Sequence, residues 1–329
     1  MPDADADVSR ELIAGVRAGD RRALARAITL VESTRPNHRD QAAAVLEALL
    51  PATGGSVRLG ISGAPGVGKS TFIEALGLHV VGTDRRVAVL AVDPSSSRTG
   101  GSILGDKTRM AELSRHPDAF IRPSPGGTQL GGVARRTREA MLLCEAFGFD
   151  VVIVETIGVG QSEIAVADMV DLFLLLVAPG GGDELQGIKR GIMELADLVV
   201  VNKADGDLAP AAGRTVADYT NALHLVRPRW STWTARARSC SALHQTGIAD
   251  VWAEVEEFGE LVGASGEDTV HRARQAVAWM WSEVQDTLLD RLRTDADVGS
   301  LVAPLEADVA AGRVTPTVAA RTLLAAFTA

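Results

Sequence analysis

The eight residues from Gly63 to Ser70 constrain the fold of this chain more than any other segment. They read Gly-Ala-Pro-Gly-Val-Gly-Lys-Ser and fit the pattern G-x-x-x-x-G-K-[ST], whose backbone N–H groups converge on a polyphosphate. In that pattern the lysine bridges the outer phosphates and the final hydroxyl reaches a magnesium ion. Residues 56–62 alternate like a strand and residues 70–76 continue as a helix, which favours a phosphate-binding loop over an ordinary strand-to-helix turn. The candidate nucleotide contacts of this segment are Gly63, Ala64, Pro65, Gly66, Val67, Gly68, Lys69, Ser70 and Thr71.

A second short motif, Asn202-Lys203-Ala204-Asp205, follows the apolar run 198–201. That run is short enough to be a buried parallel strand, and ligands bind at the carboxyl ends of such strands. The Asp205 carboxylate can accept hydrogen bonds from the N1 and N2 donors of guanine, a pattern that adenine does not present. A polar turn is the alternative interpretation, but behind a phosphate loop the motif favours a site for GTP. The candidate base-site residues are Asn202, Lys203, Asp205, Ser241 and Ala242, the last two through their backbone N–H groups.

The bulk composition excludes some classes of protein. A chain of 329 residues, of which 46% are hydrophobic, holds one large α/β domain with helical additions. A formal net charge of −9 and a pI near 5.2 argue against a general nucleic-acid binder, which needs a basic face. Cys144 and Cys240 lie far apart and outside any C-x-x-C spacing, so neither a disulfide framework nor a zinc cluster is expected. Since no apolar run approaches roughly twenty residues, we expect a cytoplasmic protein with no membrane partner.

Apolar runs and helical segments alternate through the middle of the chain. This alternation predicts an α/β fold with a mostly parallel sheet that helices cover on both faces. The active loops of such a sheet lie at the carboxyl ends of its strands. The predicted strands are residues 57–62, 87–92, 151–154, 172–177 and 198–201.

Helical patterns flank this sheet at both ends of the chain. From residue 9 to residue 50, apolar residues recur at spacings near three and four, until the Pro- and Gly-containing segment 51–55 breaks the pattern. A long helical segment begins after Gly263, and residues 301–329 also have a helical pattern. We therefore expect three regions: an N-terminal helical layer (1–52), a nucleotide domain (53–262) and a C-terminal helical arm (263–329).

The C-terminal arm carries large apolar side chains on more than one side. Five of them share one helix face, while Trp279 projects elsewhere. The arm either packs against a second copy of the chain or folds back onto its own domain, and the pattern alone does not separate these two arrangements. The residues of the apolar face are Val277, Trp281, Val284, Leu288 and Leu292.

Acidic residues near predicted strand ends are candidate magnesium ligands. Asp93 follows the second strand, Asp106 lies in a later glycine-rich segment, and Glu155 closes the third strand. A carboxylate in such a position can hold magnesium directly or through water, next to the hydroxyl of Ser70. Each carboxylate alone is equally consistent with a helix cap or a solvated turn. Together, behind a phosphate loop, they favour a metal site.

The segment that begins at Glu155 departs from small GTPases, which have an aspartate in the corresponding D-x-x-G run and a glutamine immediately after it. Here Gln161 comes three positions beyond Gly158, so the pattern leaves the water-positioning residue open. Residues 178–189 form another charged, glycine-rich loop after a predicted strand. Loops of this kind commonly carry function.

Several of these runs together resemble the MeaB/ArgK/MMAA GTPases, which are chaperones of adenosylcobalamin-dependent methylmalonyl-CoA mutase. The resemblance extends from residue 9 to the C-terminal helices. It implies a P-loop NTPase fold of the SIMIBI type, with a mostly parallel sheet flanked by helices and helical extensions at both ends. The runs that carry the resemblance are residues 63–70, 92–97, 100–107, 120–124, 131–139, 154–163 and 202–205.

The resemblance also implies an activity and partners. Proteins of this family bind GTP and Mg²⁺, couple GTP hydrolysis to delivery of adenosylcobalamin, and protect the mutase from inactivation. They form homodimers through the C-terminal arm. A polar stretch in this chain, 232–239, departs from the apolar strand that the family usually has there. The candidate catalytic residues are then Lys69, Gln161 and Lys189, and the candidate magnesium ligands are Ser70, Asp93, Asp106, Glu155 and Asp183.

Three other functions are compatible with parts of the pattern. A nickel-insertion GTPase shares the fold class and the guanine motif, but it needs Cys and His at ligand spacing, which the scattered histidines and the two cysteines do not provide. A kinase that phosphorylates a transport protein requires tolerance of adenine, against which Asp205 argues. A dimeric scaffold that binds nucleotide only for stability would release no phosphate.

Overall fold

The computed structural model describes residues 2–33, 35–92, 110–123, 130–156, 162–180 and 190–328. The chain divides into two compact units, Met1–Gln275 and Ala276–Ala329. The first unit contains the N-terminal helices and the sheet, and the second contains C-terminal helices. Among the described residues, no helix has both the length and the apolar character that crossing a bilayer requires.

Three helices form the N-terminal layer: α1 (Pro2–Arg17), α2 (Arg21–Val31) and α3 (Pro36–Leu49). The α2 helix begins at a cap, where the Asp20 carboxylate accepts a hydrogen bond from the backbone N–H of Arg22 at 2.8 Å. The helical pattern predicted for this region is confirmed, and seven of its apolar residues are buried. They are Leu12, Val16, Leu24, Ile28, Val31, Val45 and Leu49. The bounds of this layer as a separate region, 1–52, stay a prediction.

The strands are β1 (Val57–Gly63), β2 (Val87–Val92), β3 (Ala119–Pro123), β4 (Val151–Thr156), β5 (Leu172–Val177), β6 (Leu198–Val201) and β7 (Arg236–Ser239). They form one sheet in the order β3-β2-β4-β1-β5-β6-β7, and all its strand pairs are parallel. The five predicted strands are confirmed, and four of them, all but β1, are continuous apolar runs that are buried. β1 lies between β4 and β5, so the loop that follows β1 lies at the centre of the carboxyl edge.

Helices alternate with these strands in the first unit, as the sequence predicts for an α/β fold. They are α4 (Lys69–Val81), α5 (Leu130–Phe147), α6 (Ser162–Ala167), α7 (Arg190–Met193), α8 (Ala209–Leu223) and α9 (Ile248–Ser265). Three more helices follow: α10 (Glu267–Thr294), α11 (Ala296–Ala310) and α12 (Pro316–Phe327). Short 3-10 turns occur at Leu50–Ala52, Leu113–Arg115 and Gly206–Leu208.

The edge strands β3 and β7 are absent from the predicted set, and both carry arginines. In β7, Arg236 Nη1 donates to Glu254 Oε2 and Arg238 Nε donates to Glu254 Oε1, both at 2.7 Å. In β3, Arg122 Nη2 donates to Glu32 Oε2 at 2.5 Å. Charged side chains suit an edge strand because only one of its sides is paired within the sheet. The polar stretch 232–239 therefore does contain a strand, β7, whose two arginines form ion pairs with Glu254 of α9.

Four charged residues meet at the amino edge of the sheet, and we call them the amino-edge clamp: Arg58, Glu145, Asp171 and Arg272. Arg58 donates to Glu145 through Nε at 2.7 Å and through Nη2 at 2.9 Å, and both side chains are buried. Asp171 accepts bonds from Arg272 Nε at 2.8 Å and Nη2 at 2.6 Å, and from the backbone N–H of Arg58 at 2.9 Å. The clamp thus ties the first turns of α10 to the starts of β1 and β5.

The second unit is helical, as predicted for the end of the chain. The α11 helix begins at Asp295, whose carboxylate accepts bonds from two backbone N–H groups at 3.0 Å, and α11 packs against α12. Apolar side chains of α10 in this unit are partly exposed, with exposed fractions between 39% and 58%. They are Val277, Met280, Trp281, Val284, Leu288 and Leu289.

Candidate nucleotide-binding site

The loop between β1 and α4 has a backbone conformation that requires glycine. Gly66 and Gly68 have φ angles of +81° and +94°, in the left-handed region that other residues rarely adopt. A Cβ on Gly68 would lie 2.8 Å from Asn202 Nδ2, and a Cβ on Gly63 would lie 2.4 Å from the carbonyl oxygen of Leu176. These glycines therefore let the loop pass close to the neighbouring strands before it enters α4. Side chains at Gly63 or Gly68 would collide with Leu176 or Asn202, so the loop could not keep this conformation.

Lys69 is the first residue of α4, and its ammonium group lies over the loop. Nζ donates to the carbonyl oxygen of Gly63 at 2.7 Å and to that of Ala64 at 3.4 Å. Burial lowers the pKa of Lys69, and the carboxylates of Glu155 and Glu163 partly counteract this shift. Phosphate oxygens are stronger acceptors for an ammonium group than neutral carbonyls are, because the bond is then charged on both sides. Lys69 is thus placed to exchange its carbonyl partners for a phosphate.

The two sequence motifs meet at one place in the fold, although the contacting residues are 135 positions apart. Asn202 follows β6, is 2% exposed, and donates from Nδ2 to the carbonyl oxygen of Val67 at 2.9 Å. Lys203 Nζ donates to the carbonyl oxygen of Gly66 at 2.7 Å. The residues that were predicted to select guanine therefore hold the phosphate loop directly.

Asp205, which the sequence assigns to guanine, bonds to a hydroxyl group. Ser241 Oγ donates to Asp205 Oδ2, and the backbone N–H of His244 donates to the same hydroxyl oxygen at 3.3 Å. Ser241 itself starts a short hairpin, in which its N–H donates to the carbonyl oxygen of Thr246 at 2.9 Å. Ser241 therefore fixes the orientation of Asp205. The carboxylate is only half-buried, which leaves it accessible to a ligand.

The backbone N–H groups of Ser241 and Ala242 have acceptors inside the protein. That of Ser241 donates to Thr246, and that of Ala242 donates to Asn202 Oδ1 at 3.0 Å. The sequence assigns both N–H groups to the base pocket, and their contact with a base stays a prediction. In the structure these residues hold the side chains of the guanine motif, Ser241 through Asp205 and Ala242 through Asn202.

Ser70 and Glu155 are the magnesium candidates within the described part of the chain. Ser70 lies in the first turn of α4, and Glu155 lies near the end of β4, where it pairs with Ile61 of β1. Glu155 is 3% exposed, and its charge acts on Lys69. A hydroxyl and a carboxylate are hard oxygen donors beside the phosphate loop, so this pair fits Mg²⁺. Across the described ranges, no group of three or more His, Cys, Asp or Glu residues is placed to hold a metal ion.

The sequence analysis missed two buried residues of this site. Glu163 is 1% exposed, and its charge acts on Lys69. Cys240 is 2% exposed, and its Sγ lies 3.6 Å from Asn202 Oδ1. Their position in the sequence was the one signal that could have indicated them: Glu163 ends the run 154–163, and Cys240 directly precedes Ser241. The candidate residues that lie outside the described residues are Asp93, Asp106, Gln161, Asp183 and Lys189, and their roles stay predictions.

A parallel sheet whose central strand leads through a glycine-rich loop into a helix that starts with lysine defines a P-loop NTPase. Both the predicted fold class and the motif geometry are of this class. The chain belongs to the MeaB family: the family model described as methylmalonyl-CoA mutase-associated GTPase MeaB matches residues 24–297. The resemblance found in the sequence is thereby confirmed.

Known proteins agree with this assignment over nearly the whole chain. A putative GTPase of Caulobacter vibrioides is 57% identical over 94% of this chain and 95% of that protein. The mitochondrial methylmalonic aciduria type A homolog of Mus musculus is 48% identical over 96% of this chain and 79% of that protein. The crystal structure of a LAO/AO transport system kinase matches with a TM-score of 0.77 and 39% identity, and covers 98% of both chains. The family is thus one of GTPases.

Proposed function

We propose that this protein is a Mg²⁺-dependent GTPase and the chaperone of an adenosylcobalamin-dependent acyl-CoA mutase, with methylmalonyl-CoA mutase as its client. In this proposal GTP hydrolysis gates delivery of the cofactor to the mutase, and the chaperone protects the mutase from inactivation during turnover. Membership of the MeaB family supports the choice of partner. The contacts between the two nucleotide motifs support the choice of substrate.

The observation that carries the proposal is the joining of the motifs by Asn202 and Lys203. Because these side chains bond to carbonyl oxygens of the phosphate loop, a nucleotide whose phosphates occupy the loop has its base near Asp205. The carboxylate of Asp205 accepts hydrogen bonds from N1 and N2 of guanine. Adenine offers an acceptor at N1 and no N2 amine, so ATP would give the carboxylate no hydrogen bond from the base.

Hydrolysis of GTP requires positive charge at the phosphate oxygens and a water molecule in line with the γ-phosphate. Lys69 and the N–H groups of the loop supply positive charge. Bound Mg²⁺ would neutralise further charge on the phosphates. The residues that we propose to hold it are Ser70, Asp93, Asp106, Glu155 and Asp183.

The water-positioning step is assigned to residues outside the phosphate loop. Gln161 and Lys189 are our candidates for this step, and we propose that Lys189 acts when the mutase is bound. The free protein should then hydrolyse GTP slowly, because charge stabilisation without an oriented water supplies only part of the catalysis. Binding of the mutase should accelerate hydrolysis.

We further propose that the chain has three regions, a helical layer (1–52), a nucleotide domain (53–262) and an arm (263–329), and that the protein is a homodimer through the arm. The partly exposed apolar side chains of α10 support this proposal, since they lie at helical spacing. Sedimentation velocity of the wild type and of Trp281→Glu tests it. A wild-type monomer at micromolar concentration would contradict the dimer, and a dimer unaffected by the substitution would remove α10 from the interface.

Single-turnover GTP hydrolysis, with and without purified methylmalonyl-CoA mutase, tests the proposed activity. We expect phosphate release in both conditions, faster with the mutase, and none from a Lys69→Ala variant. Equal rates would contradict gating by the partner, and an inert wild type in both conditions would reduce the protein to a nucleotide-binding scaffold. An isobutyryl-type mutase serves as the second client, and equal acceleration by it would contradict a dedicated methylmalonyl-type chaperone.

A further inference from the structure

Cys240 lies between the last strand and the guanine motif. It directly follows β7, and its backbone N–H donates to the carbonyl oxygen of Val201 at 2.9 Å, continuing the pairing with β6. Its own carbonyl oxygen accepts a bond from the backbone N–H of Ala204, also at 2.9 Å. Both bonds reach residues that flank Asn202 in the chain. The backbone of Cys240 thus fixes this segment on each side of Asn202.

The side chain of Cys240 also reaches Asn202. Its Sγ lies 3.6 Å from Asn202 Oδ1, a distance suited to an S–H donor. The same oxygen accepts the backbone N–H of Ala242 at 3.0 Å, so both of its lone pairs are used. On the other side of the amide, Nδ2 donates one proton to Val67. The second Nδ2 proton is the part of this amide that these contacts leave for a ligand.

These contacts fix which way the amide of Asn202 points. If the amide were turned over, its NH₂ group would face two donors, Ala242 N–H and the Cys240 thiol, and its oxygen would face the carbonyl oxygen of Val67. Both changes are unfavourable because Asn202 is only 2% exposed, so water cannot replace the lost hydrogen bonds. Burial raises the pKa of Cys240 to about 12, so the thiol keeps its proton at physiological pH.

We infer that Cys240 is a positioning residue for guanine nucleotide: its thiol orients Asn202, and Asn202 in turn connects the phosphate loop to the hairpin that begins at Ser241. This inference rests on the proposed GTP-binding function. Removal of the thiol leaves a buried lone pair of Asn202 without a donor and loosens the residue that joins the two halves of the site. The consequence is weaker binding of guanine nucleotide, beyond any loss of stability.

The chain offers a matched control, because its two cysteines are both buried. Cys144 is 0% exposed in α5, next to Glu145 of the amino-edge clamp. Burial raises the pKa of its thiol as well. Replacement of either cysteine by alanine removes the same atoms from a buried position. Only the replacement of Cys240 removes a donor to Asn202.

Calorimetric titration with GDP and ADP tests the inference on the wild type, Cys240→Ala, Cys240→Ser and Cys144→Ala. We expect Cys240→Ala to weaken GDP binding about three- to tenfold, the effect of one neutral hydrogen bond. Cys240→Ser keeps a donor and should stay within about twofold of the wild type, like Cys144→Ala. Unchanged GDP binding by Cys240→Ala would overturn the inference, as would an equal loss in Cys144→Ala. A wild type that binds GDP and ADP equally would instead overturn the proposed function.

A second measurement needs no change at Cys240. In the Cys144→Ala variant, Cys240 provides the one remaining S–H group, so its S–H stretching band in the infrared is unambiguous. We expect this band at the lowered frequency of a hydrogen-bonded thiol. A band at the frequency of a free thiol would overturn the inference, even if Cys240→Ala failed to fold.

Discussion

The two edges of the sheet are both rich in charge, but they use it differently. At the amino edge, Arg58 pairs with Glu145 and Asp171 pairs with Arg272, so charge is compensated within the protein. At the carboxyl edge, the ammonium groups of Lys69 and Lys203 bond to neutral carbonyl oxygens of the loop. Ion pairs of the first kind resist exchange, because a buried charge that loses its partner is costly. Bonds of the second kind can be replaced by phosphate oxygens at little cost, which suits a binding edge.

The largest effect should follow from breaking the amino-edge clamp at Glu145→Gln. This substitution leaves the buried guanidinium of Arg58 uncompensated, and we expect a loss of about 3–5 kcal/mol in the free energy of unfolding. Urea denaturation measures it. The exposed pair Arg10–Asp7, with side chains 75% and 74% exposed, is the control, and Arg10→Met should be nearly neutral. Comparable losses of unfolding free energy in both variants would show that the buried Arg58–Glu145 pair stabilises the fold no more than an exposed pair does.

The carboxyl edge should respond in the opposite way at Lys69→Met. The free energy of unfolding should change by less than about 1 kcal/mol, because the hydrogen bonds of Lys69 among the described residues go to neutral carbonyls, and the cost of burying its charge outweighs its attraction to Glu155 and Glu163. GTP affinity should fall about ten- to a hundredfold, the effect of a charge-assisted bond to phosphate. Lys203→Met is the matched control, with a smaller loss expected. A strongly destabilised Lys69→Met protein with unchanged GTP affinity would show that Lys69 stabilises the fold and does not bind nucleotide.

At the base end of the same edge, Asp205→Asn should change specificity more than stability. The amide keeps an acceptor for guanine N1–H but gives up the charge and the second acceptor, so GTP affinity should fall about tenfold. Its NH₂ group can donate to the C2 carbonyl of xanthine, so the affinity for XTP should rise by about the factor by which the affinity for GTP falls. Competition titrations of GTP against XTP measure the exchange. A variant that still prefers GTP would show that another residue reads the base.

The smallest effect concerns His271, near the amino-edge clamp. Burial lowers the pKa of His271, and the cation of Arg229, whose Nη2 lies 3.5 Å from the ring nitrogen, lowers it further, while Val170, Asp171 and Asp168 oppose the shift. Below pH 6.5 the unfolded chain binds a proton that the folded protein does not, so stability falls as the pH drops through this range and stays constant above it. His271 is only partly buried, so solvent screening limits the effect to less than about 1 kcal/mol.

His271→Gln isolates this contribution, because glutamine offers an acceptor without titrating. The difference in unfolding free energy between wild type and variant should depend on pH between pH 7 and 5 and be constant between pH 7 and 8. A difference that does not vary with pH would show that the histidine keeps its ordinary pKa. Nucleotide affinity should not depend on this residue, since it lies at the amino edge.

The central strands were predictable because parallel strands buried on both faces read as continuous apolar runs, as in 172–177 and 198–201. The edge strands were not, because arginines interrupt them at Arg122, Arg236 and Arg238, and each arginine pairs with a carboxylate outside its own strand. Periodicity records which face is apolar, but it does not record which charged residues meet in the fold.

The same limit applies to the candidate site. The phosphate loop and the guanine motif are contiguous patterns with fixed chemistry, so their residues could be named from the sequence. Cys240 and Ala242, which donate to Asn202, lie 38 and 40 positions after it in the sequence. No local pattern predicts these hydrogen bonds. The backbone N–H groups of Ser241 and Ala242 illustrate the difference, since the sequence offers them to a base while the fold engages them with protein acceptors.

Calorimetric titration of the wild-type protein with GTP and with ATP, in the presence of Mg²⁺, measures whether this site selects guanine nucleotide. If the phosphate loop and Asp205 form one guanine nucleotide site, GTP should bind at least about a hundredfold more tightly than ATP, because adenine donates no hydrogen bond to this carboxylate. Equal affinities for the two nucleotides, or no binding of either, would contradict the account.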